Sequence, residues 1–398
     1  MGDPAGWRPD TRAVRGGTDR SAHEETSEAL FLTSGFVYGS AAEAAAAFDG
    51  TSDHHRYTRL GNPTLGMLEE RLRLLEGAEA CRTTASGMSA VFNALAALVR
   101  AGDRIVAPRA LFGSCFHVLD AVLPRFGVTT EFVDGADLGQ WERALATPAR
   151  AVFLETPSNP MLDLVDLRAV AELAHAAGAR VVVDNVMATP ILQRPLELGA
   201  DVVTASLTKH ADGQGRVLGG AVLGSAAFVA DELGPLLRHT GPTLSPFNAW
   251  VVLKGLETLR LRVAHASATA LELATWLEGR AGVSEVRHPW LPSHPQHDLA
   301  RAQMFGGGTT LVLRFAGGRP AAFAFLDALE VVDVSNNLGD TKSLAVHPAS
   351  TTHLAVGPDV RAATGVGEDV VRLSVGLEDV EDLRDDLARG LAAASAAA

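Results

Sequence analysis

The chain reads as an α/β fold, a large domain on a mostly parallel sheet followed by a smaller C-terminal α+β domain. Three observations carry this. From about Gly61 to Gly255, short apolar runs alternate with helical segments, the rhythm of strands and crossover helices. Several of those runs are valine-rich with no polar alternation, as in strands covered on both faces. Beyond Gly255 the texture changes, and 398 residues suit one large and one smaller domain.

Residues 1–60 are expected to form an N-terminal arm. Their patterning is irregular apart from a helical stretch in "SAAEAAAAFDG", and "EALFLTSGFVYGS" carries too many aromatics for a disordered tail. Residues 61–255 open with helices in "TLGMLEERLRLLEG" and "MSAVFNALAALVRAG", where apolar residues recur at three-and-four spacing. Strands follow at "DRIVAP", "VTTEFVD", "AVFLET", "RVVVDN", "DVVTAS" and "GAVLG". The segment "DLRAVAELAHAAGARVVVDN" is a helix, a glycine stop and a strand. In residues 256–398, a helix in "AHASATALELATWLEGR" precedes strands at "SEVRHPW", "TTLVLRFAG", "VVDVSNNL" and "DVVRLSVGL". Helices are expected at "PAAFAFLDALE" and "EDVEDLRDDLARGL", and the small-residue end "LAAASAAA" is expected to fray.

Composition excludes several classes. A net charge of −13 offers no basic face for nucleic acid. No apolar run approaches ~18 residues, so no membrane span is expected. The stretch after Met1, "GDPAGWRPDTRAVRGG", lacks the apolar core of a secretory signal. Cys81 and Cys115 form no paired framework, which suits reduced thiols in the cytoplasm. No phosphate-loop motif occurs, and Gly213, Gly215 and Gly219 miss the dinucleotide spacing by one residue. That disfavours a dehydrogenase. No metal is expected: no HExxH occurs, and His294 and His297 sit among prolines and read as a surface loop.

The chemistry collects at strand ends. "VVVDN" puts Asp184 straight after a buried strand, where a carboxylate is costly without a cation or donor. The next strand leads into Ser206, Thr208 and Lys209, and ligands of open α/β sheets bind at such carboxyl ends. An acid for a protonated pyridine nitrogen, a lysine for an aldehyde and two hydroxyls for a phosphate together describe pyridoxal 5′-phosphate. A second phosphate element is "TTASGMSA", where the N–H groups of Gly87 and Met88 open a strong helix. Singly, each has a plainer reading: Asp184 as a cap or ion pair, Lys209 as a surface charge, Ser86 as an ordinary N-cap.

The motifs "AVRGG" (13–17), "YTRLGNPT" (57–64), "ASGMSA", "ETPSNP" (155–160), "VDN", "SLTKH", "LGDTKSLAVHPASTTH" (338–353) and "RLSVGLED" (372–379) occur in order. On these, and over nearly its whole length, the chain resembles the pyridoxal-phosphate-dependent enzymes of Cys/Met metabolism. The resemblance implies a fold-type I architecture and assigns roles by position. Lys209 matches the lysine covalently joined to the cofactor, and Asp184 the acid on its pyridine nitrogen. Gly87, Met88, Ser206 and Thr208 match phosphate ligands, and Asn159 a residue near the ring hydroxyl. Tyr57 and Arg59 match residues that reach the neighbouring subunit's phosphate, which implies a homo-oligomer, a dimer at minimum and a tetramer as the further expectation. Arg372 matches the arginine that grips the substrate α-carboxylate, a role suited to its two-pronged fork. Taken alone, Arg372 also suits a strand-face residue in a surface ion pair.

Departures from the family pattern narrow the activity. "LFGSC" replaces Tyr-Gly-Gly-Thr, so Phe112 stands where a tyrosine stacks on the cofactor ring; stacking survives, the hydroxyl does not. "SNNLGD" puts Asn336 and Asn337 where cystathionine synthases tend to carry an acid that would help recognise cysteine's ammonium; Asn337 is therefore expected at the substrate. Phe112, "NNLGDTKSL" and "DGQGRVLGG" look most like the O-succinylhomoserine sulfhydrylases. The implied activity is γ-substitution of O-succinylhomoserine by sulfide, giving homocysteine and succinate in methionine biosynthesis. Alternatives are an O-acetylhomoserine sulfhydrylase, a cystathionine γ-synthase or lyase, a specialised γ-replacement enzyme with another nucleophile, and a non-catalytic scaffold. Leu207 and Met187 depart from the usual residues and leave room for an altered substrate. Arg109 is a candidate for a second substrate carboxylate, and Gly213, Gly215, Gly219 and Gly220 are expected to give Lys209 room to move.

Overall fold

The computed structural model describes residues 4–397. The first three positions of the expected arm and the last of the tail lie outside the described residues.

The N-terminal region divides in two. Helix α1 (Pro9–Arg15) buries Ala13 in the same apolar cluster as Leu68 and Leu72 of helix α3 (Pro63–Glu76). The fully buried Arg71 of α3 ties this part down. Its Nε donates to the Gly16 carbonyl at 2.7 Å, its Nη1 to that of Leu253 at 3.2 Å, and it pairs with Glu28. Trp250 Nε1 also donates to the Glu28 carbonyl, at 2.8 Å. Residues 32–60 are different: Leu32, Val37, Phe48 and Tyr57 stand exposed. Within them, helix α2 (Ala41–Asp49) is capped by Ser40, whose hydroxyl accepts from the Glu43 N–H at 3.1 Å, and stopped by Gly50 at φ +85°.

The larger sheet contains β1 (Ala80–Thr84), β2 (Arg104–Pro108), β3 (Thr129–Val133), β4 (Ala151–Glu155), β5 (Arg180–Asp184), β6 (Val202–Ser206) and β7 (Gly220–Gly224). Their order is β1-β7-β6-β5-β4-β2-β3. Only β7 runs against its neighbours; β6, β5, β4, β2 and β3 are parallel. Every residue of β4 and β7 is buried, and so are Val181–Asp184 of β5. That accounts for the unbroken apolar runs in the sequence. Strand β1, "ACRTT", is absent from the sequence reading because it lacks such a run; its pairing with β7 makes it a strand.

The smaller sheet holds β8 (Val283–Arg287), β9 (Thr310–Phe315), β10 (Asp333–Val334), β11 (Leu344–Val346) and β12 (Val370–Ser374), in the order β10-β11-β12-β9-β8. The helix Leu259–Leu277 joins the two layers: Leu259 and Val263 pack into the larger domain's core, and Ala270, Leu273 and Leu277 into the smaller one's.

Two expectations are corrected. The end of the chain does not fray over its described part, because the helix Val380–Ala397 continues through it. Leu391 and Ala394 are buried in the cluster that contains Phe325, and Gly390 lets the two helices meet closely. His294 is not on a surface loop either. It is 3% exposed, its Nδ1 accepts from the Gln296 N–H at 3.1 Å, and burial lowers its pKa to about 4. Among the described residues no group of three His, Cys, Asp or Glu is placed to hold a metal, and no helix is long and apolar enough to cross a membrane.

Candidate active site

The carboxyl ends of β4, β5 and β6 meet the start of helix α4 (Gly87–Leu98) on one side and the smaller sheet on the other. Asp184 ends β5, buried, its Oδ1 accepting from the Val186 N–H at 3.0 Å. Burial pushes its pKa up to about 7, and no basic side chain lies within ion-pairing distance among the described residues. A buried acid in this state favours a cationic ligand atom.

β6 runs into a turn, Leu207–Ala211, that lifts Lys209 toward the smaller domain. Lys209 Nζ donates to Asn337 Oδ1. Burial, and then the charge of Arg372, lowers its pKa to about 8. A lysine so depressed is neutral over a useful fraction near neutrality and is nucleophilic there.

Ser86 caps α4 by accepting from the Ser89 N–H at 3.1 Å. The plain N-cap reading of this segment is therefore correct as far as it goes. The N–H groups of Gly87 and Met88 nonetheless have no recorded acceptor among the described residues, and a helix start favours an anion there. Ser206 lies directly against them: a Cβ on Gly87 would fall 2.7 Å from Ser206 Cβ. Thr208 Oγ1 is turned inward, accepting from the Gly219 N–H at 3.1 Å.

Arg372, on the central strand β12, is fully buried. Nη1 donates to Asn159 Oδ1 at 2.9 Å, and Nη2 to the carbonyls of Asn336 and Asn337 at 3.0 and 2.9 Å. Burial lowers its pKa to about 10 against the opposing pull of the Glu155 carboxyl, and Arg372 makes no salt bridge among the described residues. The surface-ion-pair reading is excluded, because this guanidinium is held by neutral groups and keeps its charge for an incoming anion. Phe112, half-buried, is fixed by its N–H, which donates to Glu155 Oε2 at 2.8 Å.

Tyr57 and Arg59 are not brought to Lys209 within one chain. Arg59 stacks over the Tyr57 ring at 5.4 Å and donates to the Arg238 carbonyl. Leu207 is buried in the larger domain's core with Ala221, Leu223 and Leu244. Met187 is buried in a cluster with Met161, Val312 and Leu338. Both departures therefore fill apolar cores. Arg109 is half-buried in a separate cleft of about 460 Å³ with Gln140, Glu155 and Arg287.

The glycines after Lys209 serve close packing. At Gly213, φ +70°, a Cβ would fall 1.8 Å from Arg262 Nη1, which itself holds the His210 carbonyl at 2.8 Å. At Gly220 a Cβ would fall 2.1 Å from the Ser86 carbonyl oxygen. At these two positions neighbouring groups occupy the space a Cβ would need, so close packing by itself requires glycine there.

Two residues were missed. Glu155 ends β4 in register with Asp184, and burial, then the Asp184 charge, raises its pKa well above the ordinary carboxyl range. "AVFLE" carries the same signal as "RVVVD", an acid closing a buried strand. His353, inside a quoted motif, is buried with Nε2 3.1 Å from the Asn159 carbonyl. No local pattern could have paired them.

The residues fit pyridoxal phosphate on the structure's own terms: a buried acid without a cation, a lysine of lowered pKa, and helix N–H groups and a hydroxyl open to a phosphate. The architecture and cleft are those of the fold-type I pyridoxal-phosphate enzymes. The chain belongs to the Cys/Met metabolism PLP-dependent enzymes, whose sequence model matches residues 10–392. It is 60% identical over 394 residues to an O-succinylhomoserine sulfhydrylase of Mycobacterium tuberculosis, covering 98% of this chain and 97% of the relative. It is 49% identical to that of Pseudomonas aeruginosa, covering 96% and 95%. Cystathionine gamma synthase from Xanthomonas oryzae pv. oryzae, solved with aminoacrylate and cysteine, superposes with a TM-score of 0.94 at 37% identity, covering 98% and 100%.

Proposed function

We propose that this enzyme catalyses γ-substitution on O-succinylhomoserine, replacing succinate with sulfide to give homocysteine for methionine biosynthesis. One observation carries the reading: 60% identity over 98% of the chain to an O-succinylhomoserine sulfhydrylase. The intact set of Lys209, Asp184 and Arg372 supports catalysis over a scaffold role.

The cofactor, joined to Lys209, would supply an electron sink for carbanions at the substrate's Cα and Cβ. Asp184, buried at the end of β5, would hold a proton-bearing ring nitrogen. Ser206 and the N–H groups of Gly87 and Met88 would bind the phosphate, with Thr208 bracing Gly219 beside them. Phe112 would cover the ring face, and Asn159 would lie near the ring hydroxyl. Arg372 receives the α-carboxylate in a fork already aimed by Asn159 and the carbonyls of Asn336 and Asn337. Freed when the substrate amine takes its place, Lys209 Nζ would take the proton from Cα, then that from Cβ, and return protons after the exchange. At Cγ the C–O bond to succinate breaks and a C–S bond to hydrosulfide forms. Asn337 offers an uncharged amide where an acid would favour an ammonium-bearing thiol.

Residues 32–60 with Tyr57 and Arg59 are assigned to a neighbouring subunit's phosphate site, making the dimer the smallest active unit and a tetramer the full assembly. Their exposed apolar side chains support this. Residues 61–255 form the cofactor domain and 256–398 the C-terminal domain, and two buried free thiols suit the cytoplasm. The test is a steady-state comparison of sulfide with cysteine, each with the succinyl and acetyl esters of homoserine. Sulfide with the succinyl ester should give the highest kcat/KM; a clear preference for cysteine would overturn the reading.

A further inference from the structure

We propose that His353 is a positioning residue that aims Arg372 at the substrate carboxylate by holding Asn159; this rests on the role given to Arg372 above.

The partner of His353 Nε2 is a backbone carbonyl, Asn159 O, at 3.1 Å. A carbonyl only accepts, so Nε2 carries the hydrogen. Nδ1 lies 2.9 Å from Thr352 Oγ1, which can donate to it, so one neutral tautomer satisfies both contacts. Burial, reinforced by Arg372, keeps the ring neutral by lowering its pKa to about 4.

Asn159 sits on the loop after β4, in the larger domain, whereas His353 and Arg372 belong to the smaller one. The larger domain thus receives two bonds at one residue. His353 holds its backbone carbonyl, and Arg372 Nη1 holds its side-chain oxygen at 2.9 Å. Together they hold the backbone and the side-chain oxygen of the residue that orients the guanidinium. The same segment also supports the ring-stacking loop. Gly113 lies so close that a Cβ there would stand 2.7 Å from the Thr352 carbonyl oxygen. Without His353 the Asn159 carbonyl loses this donor, Asn159 is left held, among the described residues, only by its N–H to Glu155 and by Arg372, and its side-chain amide can shift relative to the guanidinium.

The test uses the holoenzyme and a ligand that binds without turning over. L-Norvaline has a chain close to the substrate's and no leaving group; its methyl ester lacks the carboxylate. Affinities are read from the shift of the cofactor's visible absorption. With His353→Leu, norvaline should bind about tenfold more weakly and the ester within about twofold of wild type. His353→Gln, whose amide can still donate to the carbonyl, should recover norvaline affinity to within about threefold. In turnover, KM for the amino-acid substrate should rise with kcat little changed. Unchanged norvaline binding in His353→Leu, or equal weakening of norvaline and ester, overturns the proposal. If His353→Leu does not fold, His353→Asn, too short to reach the carbonyl, replaces it; equal behaviour of Asn and Gln variants then overturns it. Norvaline binding needs no sulfide chemistry, so failure of the sulfhydrylase reading shows separately as absent homocysteine.

Discussion

Lys209 and Arg372 end on the same residue: Lys209 Nζ donates to the side-chain oxygen of Asn337, and Arg372 Nη2 to its backbone carbonyl. One lysine from the larger domain and one arginine from the smaller thereby meet at a single residue. Burial first, and then the nearby charge of Arg372, lowers the pKa of Lys209.

Capture of pyridoxal phosphate by the apo-protein should report that depression. A lysine amine attacks an aldehyde only when neutral. Lowering its pKa from 10.5 to about 8 moves the rise of the capture rate down to pH about 8, with a plateau above. Stopped-flow absorbance across pH 6.5–10.5 measures it; a rate still climbing at the upper end would refute the assignment.

Lys209→Ala should abolish the absorption band of the lysine-bound cofactor. Turnover should fall by on the order of 10²–10⁴, the range of a lost general base. Added methylamine, small enough to occupy the vacated space, should restore part of the rate.

Asp184→Asn keeps the shape and removes the charge. kcat should drop on the order of 10²–10³ while KM changes little, because the lost interaction acts on developing charge. Cofactor content, measured after dialysis, should stay near stoichiometric. A variant retaining most of its kcat would show that Asp184 does not face the ring nitrogen.

Gly220→Ala places a methyl where the Ser86 carbonyl oxygen lies at 2.1 Å. The start of α4 must then shift away from β7, at a cost of about 1–3 kcal/mol. Both the thermal midpoint and cofactor affinity should fall, the affinity because Gly87 and Met88 move with Ser86.

Glu28 gives a prediction in acid. Burial raises its pKa, but Lys254 and Arg71 outweigh that and hold it at about 2, below the ordinary 4.5. A carboxylate with a depressed folded pKa contributes stability above its unfolded pKa and loses it as pH falls toward the folded one. The wild-type thermal midpoint should therefore decline between pH 4.5 and 2 more steeply than that of Glu28→Gln. Parallel curves would show that Glu28 does not fasten residues 9–31.

The sequence exposed those parts of the site whose signal is local. Asp184 was legible because an acid cannot close a valine strand without a purpose, and Ser206, Thr208 and Lys209 because they follow the next strand. Glu155 had the same signal and was overlooked. β1 and β11 were illegible, one too polar and the other only three residues long; each is a strand through its partners. The glycines after Lys209 were legible as glycines but not in purpose, since looseness and crowding leave the same letter.

The sequence by itself determined the alternation of strands and helices, the strand-end chemistry and, through ordered motifs, the family. Periodicity and strand-closing polar residues are properties of neighbours along the chain, so they survive without a fold. The tertiary structure alone decided which cations share Asn337, that Leu207 and Met187 face apolar cores, and that His353 reaches Asn159 across 194 positions of sequence. Such contacts depend on which faces two domains turn toward each other. That is set by the burial of many side chains at once, and no short stretch of sequence encodes it.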